Sequence, residues 1–208
     1  MAPLIRFTPE EGRLIQDTHF FRTKAAVTVK VKEILRGLHA EIAQELAISK
    51  LLAPEGVDLA QGQLVKGEHL LDFPYLYLDF PKLFTQAEKF AFRSLFWWGH
   101  FFVFALILEG RHLDRYKSNL LEAYDRVAEG GFSLLLTETP WEWREDPQFL
   151  LEIRTDNRRA VASALAFRPF LKIHRYFHFS DPELLEGRIV QAGGETFRLL
   201  KPIVTEPA

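Results

Sequence analysis

The sequence predicts an α+β fold: an antiparallel-rich sheet with a central apolar strand near residues 93–108, flanked by helices at 24–48, 112–128 and 182–203. Three observations lead there. Apolar residues recur at three- and four-residue steps in the helical segments. The segments between them are short and aromatic, and they either alternate or are apolar throughout. Helices and strands are also segregated along the chain rather than regularly alternating, which favours an antiparallel sheet with helices packed on it. No repeat, low-complexity tract or linker divides residues 1–208, so one domain is expected.

From the start, Thr8 followed by Pro9-Glu10-Glu11 marks a short helix with proline at its first position. Val27, Val31, Ile34, Leu35, Leu38, Ile42 and Leu46 then form one face of a helix over 24–48, with Thr23 as a candidate cap and Pro54-Glu55-Gly56 beyond its end. His69–Phe80 reads as a strand, and Pro74 and Pro81 place it at an edge or a bulge because neither can donate a ladder hydrogen bond. Arg93–Leu108 is apolar on both faces and reads as a strand covered on both sides, with Gly99 as a bulge.

Leu113, Tyr116, Leu120, Tyr124 and Val127 share a helical face that Gly130-Gly131 ends. Phe132–Thr137 and Phe149–Arg154 are short strand candidates, Asn157–Ala166 a helix and Phe170–Phe179 an alternating strand. Ser180 with Glu183 three residues on resembles a capping box opening the last helix. Gly193-Gly194 is expected to break that helix in two.

Composition narrows the function classes. With 19 Phe, 4 Trp, 5 Tyr, one Met and no Cys, the core is aromatic and aliphatic. The lack of cysteine removes disulfides, iron–sulfur clusters, zinc-thiolate sites and thiol nucleophiles together, and fits a reducing compartment. The opening residues lack a secretory pattern, and Leu95–Leu108 is too short to span a bilayer, so a soluble cytoplasmic protein is expected. A net charge of −2 supplies no field favouring nucleic acid or anionic lipid.

No phosphate loop, GxSxG elbow, HExxH or dinucleotide fingerprint is present, so no cofactor or reaction is indicated. The leading expectation is a small-ligand-binding or regulatory protein with an aromatic and histidine pocket formed by Tyr75, Tyr77, Trp98, His100, His174 and His178. His174 and His178, four apart on one strand, point to the same side with Tyr176 between them. A first rival is a metal-dependent or His/Glu acid–base enzyme, with His100, His174 and His178 converging beside Asp72 or Glu109. A second is a homodimer or other assembly anchored by Trp141 and Trp143 after Pro140. Arg158 and Arg159, near a helix start, are a candidate anion site.

Overall fold

The computed structural model describes residues 4–206. Its centre is one seven-stranded antiparallel sheet: β1 (Gln63–Leu70), β2 (Phe73–Phe84), β3 (Lys89–Trp97), β4 (Phe101–Glu109), β5 (Ser133–Leu135), β6 (Leu150–Glu152) and β7 (Phe170–His178). The strands lie in the order β1-β2-β3-β4-β7-β5-β6. Around it are α1 (Pro9–Gln16), α2 (Thr18–Ala47), α3 (Leu113–Glu122), α4 (Tyr124–Ala128), α5 (Arg158–Ala166), α6 (Pro182–Leu185) and α7 (Ile189–Leu200). The architecture is the expected α+β one.

The apolar run at 93–108 is a hairpin rather than a single strand. Trp97 and Phe101 face each other across its tip, and Gly99 turns the chain with a φ of 74°. The His100 N–H donates to the Trp97 carbonyl at 3.2 Å, so Trp98 and Gly99 form the middle of a type II-like turn, which needs positive φ at its third position. Continuous apolarity cannot reveal such a turn, because both strands are buried on both faces. The strand expected at 69–80 is likewise split by Leu71 and Asp72, whose φ angles of 48° and 68° make a two-residue hairpin turn. The register shift between Asp79 and Lys82 is the bulge that Pro81 implies.

Thr8 and Glu11 close a capping box on α1: the Glu11 N–H donates to Thr8 Oγ1 at 3.2 Å and the Thr8 N–H to Glu11 Oε2 at 2.6 Å. Asp17, not Thr23, caps α2, accepting from the Phe20 N–H at 2.8 Å. The last helix does not break at Gly193-Gly194. It breaks earlier, at Gly187, whose φ is 72°. Gly193 instead allows close packing, since a Cβ there would lie 2.2 Å from Leu38 and 2.7 Å from Phe104. The proximity of α2 and β4 outweighs the helical penalty of glycine.

The sheet has two different faces. One, with Phe92, Phe96, Phe102, Phe104, Ile173 and Phe177, packs on Leu35, Leu38 and Ile42 of α2 and on Phe197 and Leu200 of α7. The other carries Leu95, Trp97, Phe101, Val103, Ala105 and Ile107, and the buried residue that covers it from outside the sheet is Trp143. Trp143 belongs to the irregular segment 136–149 between β5 and β6. The Leu136 N–H donates to the Phe149 carbonyl at 2.7 Å, so the segment is an Ω-shaped strap whose ends meet.

Candidate functional site

Under and beside the strap, cross-strand register lines up a row of polar side chains across the second face. Asp79 pairs with Arg93, Arg93 with Ala105, Ala105 with His174, His174 with Ser133, and Ser133 with Glu152. Directly opposed residues in antiparallel strands put their side chains on the same face. The row therefore runs through six strands, and Ala105 is its only apolar member.

The first pair is satisfied. Arg93 donates from Nε and one terminal nitrogen to the two oxygens of Asp79, each at 2.7 Å, and its guanidinium carbon lies 3.9 Å from the centre of the Tyr77 ring. Lys172, two residues before His174 on the same face of β7, is only 1% exposed. Its Nζ donates to the Pro140 carbonyl at 3.0 Å and to the Glu142 carbonyl, and sits 3.3 Å from the centre of the Trp143 ring. Burial, with the Arg93 cation nearby, holds the amine well below the ordinary lysine range.

His174 is also 1% exposed, and neither ring nitrogen has a hydrogen-bond partner among the described residues. Burial first, then Lys172, pushes its pKa well below the ordinary histidine value, so the ring is neutral. Its ring lies 4.8 Å from that of Tyr176, whose hydroxyl is 3.3 Å from both the Trp143 and the Arg144 carbonyls. Burial raises the Tyr176 phenol, so it stays a donor.

At the edge of the strap the row opens into a cleft of about 570 Å³ lined by Gly131, Ser133, Glu145, Pro147, Leu150, Glu152, Tyr176 and His178. His178 Nε2 lies 3.2 Å from Glu145 at its mouth. Both residues that border His174 on this side, Ser133 and Tyr176, are cleft walls.

Nothing among protein-family models, curated proteins or solved structures matches this chain.

The structure divides the expected pocket. Tyr75 and Tyr77 stack at 5.9 Å on β2, on the same face as His174 and His178, but β3 and β4 intervene. Three strand spacings put roughly 14 Å between the two groups. Trp98 packs against the opposite, helix-covered core. His100 leaves the strand phase at the hairpin turn and stacks on Trp97 at 3.7 Å, with burial lowering its pKa.

The convergence of histidines with a carboxylate does not occur. Glu109 pairs with Lys89 at 2.6 Å at the opposite end of β4 from Phe101, the partner of His178. Asp72 lies in the β1–β2 turn. Among the described residues no group of three or more His, Asp or Glu could hold a metal ion.

Trp143 is 4% exposed and folded onto its own sheet, so it is not presented to a partner; Trp141 is 42% exposed beside Phe84. Arg158 donates to the Leu121 carbonyl at 2.8 Å, and Arg159 is exposed on the same first turn of α5. The buried face of α5, Val161 and Leu165, belongs to the helix-covered core, away from the cleft. Sequence reasoning missed Asp79, Arg93, Lys172, Ser133, Glu145 and Glu152. Two of them left a trace: Arg93 and Lys172 are cations at inward-facing positions of apolar strands. No described helix is long and apolar enough to cross a membrane.

Proposed function

We propose that this protein binds a small polar molecule in the cleft at the strap edge, and that the strap responds to it. The observation that carries this reading is His174. A fully buried imidazole with two unpaired nitrogens is costly, on the order of 1–3 kcal/mol per unsatisfied group. It persists here directly behind two cleft walls, Ser133 and Tyr176. Around the opening, His178, Glu145, Ser133 and Glu152 come from β7, the strap, β5 and β6, so separate elements aim polar groups at one volume. Convergent polar groups in a concave site are the usual signature of ligand recognition. The absence of cysteine supports a reducing, cytoplasmic setting.

Native mass spectrometry of gently purified protein, read beside its denatured mass, tests the proposal. A discrete small-molecule adduct that disappears in His178→Ala and Ser133→Ala supports it. A bare mass, with no cleft resonances shifting in an NMR screen of polar fragments, sinks it.

The Glu145–His178 contact favours a second reading, acid–base catalysis at the cleft mouth, since a carboxylate beside an imidazole orients it for proton transfer. Turnover of a bound fragment, lost in Glu145→Gln, would establish it. Self-association would use Trp141 with Phe84, because these are the exposed aromatics of that corner. Trp141→Ala would then lower a concentration-dependent mass in light scattering.

A further inference from the structure

Trp143 is the buried ring that covers the second face from outside the sheet. It packs in one cluster with Ala105, the small residue in the polar row, and with Val103 and Ile107 on either side of Ala105 along β4. The Lys172 amine and the Arg93 guanidinium, 5.5 Å from the Trp143 ring, flank it, and the buried His174, without a partner among the described residues, stands opposite Ala105 on β7. Apart from its own packing, the indole is kept there through the strap backbone: Lys172 holds the Pro140 and Glu142 carbonyls, and Tyr176 the Trp143 and Arg144 carbonyls. A hydrophobic core has no use for a lysine without a carboxylate hydrogen-bond partner or for a histidine without any partner among the described residues. A binding site closed by its own lid does.

We propose that Trp143 plugs a binding site, and that a planar aromatic monoanion takes its place when the strap swings away. The inference rests on the ligand-binding reading of the adjoining cleft, which is the route in. The ligand ring replaces the indole over Ala105 and against Lys172. Its anionic group takes over Lys172 Nζ, which loses two carbonyl acceptors as the strap leaves, and His174 gains the partner it lacks. One negative charge is the match. Both prongs of Arg93 are already held by Asp79, so Lys172, protonated as the anion arrives, is the one cation left to receive it. The closed lid lowers apparent affinity by the fraction of time it is shut, so the lid sets the response threshold.

The experiment titrates indole-3-carboxylate into the full chain, following thermal stability and amide hydrogen exchange. In wild type, binding raises exchange in 137–148 and protects β4 and β7. Trp143→Ala, with the site vacated, binds at least tenfold tighter, and Lys172→Met in that background abolishes the gain. Tryptamine, the same ring with a cation, does not bind. Equal binding of tryptamine would show a mere apolar cavity and overturn the proposal, as would a folded Trp143→Ala protein that binds nothing.

Should Trp143→Ala fail to fold, Tyr176→Phe keeps the indole and removes one strap anchor. Several-fold tighter binding than wild type is then expected, and unchanged affinity overturns the plug. Binding that leaves exchange in 137–148 unaltered but is lost in His178→Ala would also overturn it, while leaving the cleft as a ligand site.

Discussion

Lys172 and Trp143 meet where the strap lies on the sheet: the amine nitrogen is 3.3 Å from the centre of the indole while donating to two strap carbonyls. Replacing the amine leaves those carbonyls buried without a donor, at a cost of about 1–3 kcal/mol each before relaxation. Lys172→Met is therefore destabilising even though methionine fits an apolar site. The effect depends on pH. The folded-state pKa lies well below the ordinary 10.5, so between the two values the unfolded chain binds more protons and wild-type stability rises with pH. Melting temperatures between pH 8 and 10 should show the gap between wild type and Lys172→Met widening as pH increases.

Asp79 and Arg93 form a buried two-pronged pair, with side chains 1% and 10% exposed. Removing one partner strands the other charge. Asp79→Ala should cost about 3–5 kcal/mol, whereas Asp79→Leu combined with Arg93→Met should cost much less. Urea denaturation of the two variants checks the inequality.

Adjacent glycines of α7 should answer oppositely to alanine. At Gly193 the new methyl meets Leu38 and Phe104 at 2.2 and 2.7 Å, and overpacking of that kind costs about 1–3 kcal/mol. At Gly194 the nearest atom is 3.5 Å away, so Gly194→Ala keeps the helical advantage of alanine, about 1 kcal/mol. Thermal melts should therefore fall for the first and rise for the second.

Glu142 is held down to about 2, chiefly by the Arg144 guanidinium, with backbone N–H groups of Arg144 and Trp143 adding to it. A depressed carboxylate contributes stability that is complete above its unfolded value near 4.5 and is lost as pH falls toward 2. Acidification through that window should loosen the strap and red-shift tryptophan emission. Glu142→Gln should flatten that dependence relative to wild type.

The helices were legible because a buried stripe repeats every three or four residues: Val31, Leu35, Leu38 and Ile42 are the buried positions of α2, and each was readable by spacing alone. Alternation placed His174 and His178 on one face of β7 in the same way. The β3–β4 hairpin was hidden because strands buried on both faces lose the alternation that marks their ends. Gly99 was the one visible sign, and a lone glycine is equally compatible with a bulge.

Fold class, the aromatic core and the exclusion of thiol chemistry follow from the sequence by itself, because propensity, periodicity and composition are local or additive properties. Which strands lie side by side is a matter of register between segments far apart in the chain. Ser133 and His174 oppose each other across 41 positions, and Asp79 and Arg93 across 14, with no local signal for either. Tertiary structure alone therefore decided that the polar row exists, that Tyr75 and Tyr77 stand apart from the β7 histidines, and that Trp143 faces inward. Lys172 could have its charge read from the sequence, but its isolation under an indole depends on the chain closing over it.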